Sequence, residues 1–156
     1  MDYTANQIVA AVLGGTLSDE DHAAMVARFW DLFPQFEHMR DVVERIVAER
    51  RATASLIATK VLEIRDRRTA ERDAVWDELF KTLLDGYDGG QEAKDRCDRR
   101  LERTKAWSKE IMDAEMVEIG AAYREDTDDF ARCYRFLVWH HERATLQSMR
   151  PKAHCV

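Results

Sequence analysis

Asp85-Gly86-Tyr87-Asp88-Gly89-Gly90 is the strongest turn signal in the chain. Glycine reaches backbone conformations closed to other residues, and aspartate hydrogen-bonds its own backbone in turns. Both flanks read as helix. Before the turn, Met39, Val43, Ile46, Ile57, Val61 and Ile64 form an apolar stripe at helical spacing, and the run 65–74, RDRRTAERDA, contains no breaker. One long helix over 35–84 is expected, with Thr69 as the alternative cap of a separate helix from Ala70 to Leu84. After the turn, Cys97, Leu101, Ile111, Ile119 and Ala122 mark a helix from Gln91 to about Arg124. The segments 35–84 and 91–124 therefore predict a long antiparallel helical hairpin.

Punctuation continues outward from the hairpin. Thr4 can cap a short apolar helix, Ala5 to Leu13, which Gly14-Gly15 stops. Ser18 opens a second helix with Asp19, Glu20 and Asp21 in its first turn, where carboxylates suit the positive end of the helix dipole. That helix runs to about Phe33, and Pro34 starts the next. On the far side, Thr127 followed by Asp128 and Asp129 reads as the cap of a last helix over 128–149, with 150–156 as a tail behind Pro151. Only 2 Pro and 6 Gly in 156 residues leave little material for the tight turns of a sandwich or barrel. The expectation is a single all-α domain, an elongated antiparallel bundle of four to five helices.

Composition narrows the function classes. Thirty acidic against 24 basic residues give a net −6, which argues against nucleic acid or anionic lipid bound over the whole surface. No apolar run approaches the ~20 residues that cross a bilayer. The start, MDYTANQIVA, lacks the marks of a secretory signal, so the cytoplasm is the expected location. Cys97, Cys133 and Cys155 are odd in number and widely spaced, which predicts reduced thiols.

The motifs that carry helical-bundle chemistry are missing. Di-metal bundles use Glu-x-x-His, because residues three apart share a helix face. No glutamate here has histidine three residues on, and Asp19-x-x-His22 is a lone partial match. A calcium-loop frame starting at Asp85 places Tyr87, Gly89 and Arg96 on ligand positions, so it fails. With no phosphate-cradling glycine motif and no nucleophile elbow, neither metal, cofactor nor catalytic residue is expected.

Three constellations remain. Residues 93–105 carry six basic and three acidic side chains, whereas 106–130 carry two basic and eight acidic, an order that opposes the helix dipole. Mirroring the hairpin about Asp88 brings Arg67 and Arg68 near Arg103, so that with Arg99 and Arg100 they would form a basic patch for an acidic partner. The competing reading is a solvated face of ion pairs. Phe136-Leu137-Val138-Trp139 point all round one helix, so one neighbour cannot cover them, and Phe136 and Trp139 are candidates for a dimer interface. Finally, Glu115 and His141 fall within apolar stripes, and reflection about a turn near Thr127 makes them neighbours, with Lys60 as a competing cation. The expected function is a non-enzymatic protein-interaction module: adaptor, assembly component or inhibitor. Its partners would be another protein and a second copy of itself. The alternative is a ligand- or metal-binding bundle, or an enzyme, using Glu115 and His141.

Overall fold

The computed structural model describes the backbone of residues 3–148 and the side chains of residues 3–143. Cys155 and the expected tail lie outside the described residues. The architecture is all-α: α1 (Ala5–Leu13), α2 (Asp19–Leu32), a 3-10 segment (Pro34–Met39), α3 (Arg40–Thr82) and α4 (Gln91–Ser148). The short helices start where capping chemistry places them. The Thr4 hydroxyl accepts the Gln7 N–H while the Gln7 side chain accepts the Thr4 N–H, and the Ser18 hydroxyl accepts the Asp21 N–H. Pro34 opens the 3-10 segment, whose missing donor costs nothing at a first turn.

One expected boundary is corrected. The chain does not turn near Thr127; α4 continues from Gln91 to Ser148, so the separate helix over 128–149 is the second half of α4. Thr and Asp cost a helix interior only about 0.5–0.7 kcal/mol each, far less than Pro, and tertiary contacts override that preference. Asp129, read as part of the cap, and Asp126 just before it project instead onto Arg50 of α3. The 85–90 turn forms as expected. Gly86 and Gly89 take positive φ values of 65° and 79°, and the Asp88 carboxylate accepts the Gly90 N–H at 2.9 Å.

Contacts divide the chain into two compact units, Met1–Ile57 with Arg124–Val156, and Ala58–Tyr123. The first unit holds the main core. Ile8, Val9, Val12 and Leu13 of α1 meet Phe29, Phe33, Phe36, Val43, Val47 and Leu137. Phe29 anchors an aromatic cluster with Trp30, Phe33 and Phe36, at centroid separations of 5.2, 4.9 and 5.8 Å. The last carbonyls of α1 are satisfied by side chains: a His22 ring nitrogen donates to Val12 at 3.0 Å and Arg50 Nε donates to Leu13 at 2.9 Å. The link between α1 and α2 passes so close to α3 that a Cβ on Gly15 would overlap that of Ala54. The second unit is a plain antiparallel pair, the end of α3 against the start of α4. Its seam is Val61, Ile64, Val75 and Leu79 facing Ala93, Thr104, Ile111, Ile119 and Ala122.

Candidate functional site

A hairpin of two helices gives each helix one neighbour, which covers one stripe and leaves two flanks open. In the Ala58–Tyr123 unit the flanks differ in chemistry. On one, Arg67 and Arg68 both donate to the Glu118 carboxylate, and Arg68 also reaches Glu71 at 2.9 Å. The hydrogen bond from Arg68 is the main cause that holds Glu118 below the ordinary carboxylate range, and the same bond raises Arg68. Beside this cluster an open groove of about 460 Å³ is bounded by Ala74, Val75, Glu78, Trp107 and Ile111.

The other flank carries exposed apolar side chains among polar ones. Trp76 Nε1 donates to Ser108 Oγ at 3.3 Å, which fixes the side of the hairpin that both occupy. Phe80, one turn beyond Trp76, lies tilted against it with ring centroids 6.1 Å apart. Leu62 lies eighteen residues before Phe80, five full turns, and so on the same side. On α4, Met112, Met116 and Tyr123 follow Ser108 at steps of four, four and seven residues, the spacing of one helix face. Leu62, Phe80, Met116 and Tyr123 keep 59, 67, 70 and 51% of their surface exposed. Between Leu62 and Trp76 the same side of α3 exposes Arg65, Thr69 and Asp73.

The expected basic patch does not assemble. Trp76 meets Ser108 and Arg72 meets Glu115 at 3.4 Å, so Glu115 is level with residues well beyond Val61. Side-chain lean accounts for only about a position on each helix; the rest of the offset lies in the turn, since Cys97 and Arg100 already reach the carbonyls of Leu83 and Thr82 beside it. Arg67 and Arg68 consequently face Glu118, fifteen residues or ~22 Å of rise from Arg103. Arg100 instead donates to the Thr82 carbonyl at 2.6 Å and Arg96 to Gly86 at 2.9 Å, closing the end of α3, while Arg99 and Arg103 are exposed. The charge order along α4 is matched across the hairpin. The acidic stretch holding Glu115 and Glu118 lies against Arg67, Arg68 and Arg72 of α3.

The expected meeting of Glu115 with His141 is also corrected, because both belong to one uninterrupted helix. Glu115 is largely buried, with 15% of its side chain exposed, and pairs with Arg72. Lys60 is exposed rather than buried. His141 is half-buried against the Phe33 ring at 5.1 Å, and its Nδ1 accepts from Gln35 Nε2 at 2.5 Å. Phe136 packs partly into the first unit's core, whereas Trp139 is 51% exposed beneath Arg143. Among the described residues no three His, Cys, Asp or Glu side chains converge as a metal site would need. Among them, too, no helix is long and apolar enough to cross a membrane.

Arg50 was not singled out from the sequence, yet it is the most deeply buried charge described. With 2% of its side chain exposed, it donates to Asp126 at 2.5 Å, Asp129 at 2.7 Å and the Leu13 carbonyl. Burial alone would lower its pKa; the two aspartates outweigh that and raise it. A pocket of about 420 Å³ opens beside it, lined by Ile46, Glu49, Thr53, Arg132, Cys133 and Phe136. The Cys133 thiol is pushed up by burial, then by Asp129, which keeps it protonated and a poor nucleophile. Cys97 and Cys133 are both unpaired. Every polar group converging on Arg50 is already engaged in holding α1, α3 and α4 together, a structural use of the charge. No known protein family, curated protein or solved structure matches this chain.

Proposed function

We propose that the chain is a non-enzymatic protein-interaction module, an adaptor, assembly component or inhibitor, that works through the Trp76 flank of the Ala58–Tyr123 hairpin. One observation carries the reading: Leu62, Phe80, Met112, Met116 and Tyr123 are exposed apolar side chains on one side of two helices that have no third element over them within their unit. Methionine and aromatic side chains adapt to a partner's contour and are enriched where proteins meet. The proposal places the module in the cytoplasm, where unpaired thiols such as Cys97 and Cys133 stay reduced. The buried polar groups Arg50, Glu115 and Arg72 are engaged with one another or with carboxylates inside the fold, which favours this reading over a catalytic one.

The test is site-specific photocrosslinking in the native cell. A photoreactive phenylalanine at Met116 or Phe80 is expected to give discrete protein adducts, and the same probe at Glu110, exposed on another side of α4, is not. The captured protein, made pure, should bind the full chain and lose that binding to Met116→Glu. Equal labelling at Glu110 and Met116, or binding indifferent to Met116→Glu, would refute the assignment.

A further inference from the structure

We infer that the groove between α2 and α3 is a binding site for a small amphipathic carboxylate, an apolar body ~10 Å long ended by one acid group. The site lies within residues 12–51 of the first unit and is independent of the hairpin. An apolar channel is left open over the core, and a cation with an unused donor stands at one end of it.

The Asp19 side chain meets Arg51, and Arg40 lies over the Trp30 ring at 4.4 Å, so α2 and the start of α3 run antiparallel. That pairing sets Ala23 of α2 level with Val47 and Ala48 of α3. Alanines on both walls each reach one methyl into the gap, and it stays open. The groove measures about 420 Å³, within the range of small-molecule sites. Its floor is the core itself, since Val12, Phe29 and Val43 are buried beneath it. Charge is confined to the ends. From Glu44 at one end to Arg51 at the other is seven residues of α3, or ~10.5 Å of rise, which sets the length of the apolar body.

The two ends differ in how their cations are used. At the Trp30 end Arg40 is shared by Glu37 at 2.9 Å and Glu44 at 3.0 Å, so one cation already answers two carboxylates. At the other end Arg51 has one, Asp19 at 2.7 Å, whose side chain is 99% exposed. An ion pair held in water contributes little and is readily exchanged. Arg51 Nη2 serves both Asp19 and the Leu17 carbonyl, while Nη1 is buried and has no partner among the described residues. Glu20 and Asp21, the other acids of the first turn, stand about 100° and 200° around α2 from Asp19 and so off the groove. His22, which also lines it, has Nε2 committed to the Val12 carbonyl. A carboxylate whose tail lies along the channel releases Asp19 to water and offers Nη1 a second oxygen, the bidentate match of guanidinium to carboxylate. The head of the ligand is therefore acidic and its tail apolar.

The experiment is titration of the full chain at neutral pH with octanoate, hexanoate and 1-octanol, read by calorimetry and by backbone amide shifts. Octanoate is expected to bind saturably at one site and to shift Ala23, Val26 and Ala48. Hexanoate, two methylenes shorter, should bind about 15-fold more weakly. 1-Octanol keeps the tail without the acid and should bind at least ~10-fold more weakly. Ala48→Leu fills the channel and should abolish binding. Arg51→Gln should remove the preference for acid over alcohol while circular dichroism stays helical. Asp19→Asn, at an exposed position, takes away the competing carboxylate and should tighten octanoate several-fold. Met116→Glu, on the hairpin, should change nothing. Octanoate that does not saturate in the millimolar range, or binding that Ala48→Leu leaves intact or Met116→Glu abolishes, would overturn the site. An alcohol bound as tightly as the acid, or octanoate weakened by Asp19→Asn, would overturn the assignment of an acidic head.

Discussion

Replacing Arg50 by methionine keeps most of the side chain's volume and removes its charge, so the consequences follow from the three groups that lose a partner. Asp129 has only 14% of its side chain exposed and would be left as a buried carboxylate, while Asp126, at 33%, can recover part of its hydration. The Leu13 carbonyl would lose the donor that closes the end of α1. Removing one member of a buried ion pair costs about 3–5 kcal/mol, because the remaining charge is uncompensated. The partial exposure of Asp126 places this case at about 3–4 kcal/mol. For a chain of this size that lowers Tm by roughly 6–16 °C. Arg50→Met should therefore melt well below the native chain at neutral pH, measured by circular dichroism at fixed protein concentration. The triple change Arg50→Met, Asp126→Leu and Asp129→Leu should recover most of the loss, as apolar replacement of a whole buried pair often does. A loss under ~1 kcal/mol would refute the claim that Arg50 is a buried structural charge.

Glycine positions give a paired test. Gly15→Ala should destabilise by about 1–3 kcal/mol, because the added methyl overlaps Ala54 and a packed contact must move. Gly120→Ala, in the interior of α4 with nothing within 4 Å, should stabilise by about 0.8–1 kcal/mol through helix propensity; chemical denaturation of both variants reads the contrast. The Glu118 carboxyl sits below its ordinary pKa because Arg68 and Arg67 favour its charged form. Its contribution to stability is therefore complete above the unfolded carboxylate pKa of about 4.3 and is lost as pH falls through the lower folded value. The native chain should melt above Glu118→Gln at neutral pH, and the two curves should converge in acid; a gap that stays constant with pH would contradict this.

How much was legible in the sequence is clearest at residues 126–129. Thr127-Asp128-Asp129 has the composition of a helix start, and local chemistry alone reads it so. The longer pattern reads differently. Ile119, Asp126, Cys133 and His140 stand seven residues apart, as do Glu115, Ala122, Asp129 and Phe136. That heptad continues through the supposed cap without a change of phase, as it would in one helix. The same repeat on α3 runs Val43, Val47, Arg50, Ala54, Ile57, Val61, Ile64 and Arg68 at alternating steps of four and three, which places two arginines on the seam. Their partners are the acidic residues on the α4 seam: Asp126 and Asp129 for Arg50, and Glu118 for Arg68. Apolar periodicity alone found the hairpin and its turn but passed over these positions, because a stripe defined by hydrophobicity skips the charges within it. The register was less accessible. It depends on how the turn over 83–90 offsets the two helices, which a mirror drawn through Asp88 does not contain. The charge order of α4, which ran against the dipole and seemed to call for an outside partner, follows from the same geometry. A dipole contribution of ~1 kcal/mol at most per terminal charge yields to several partly buried pairs across the hairpin, so α4 is acidic where α3 is rich in arginine.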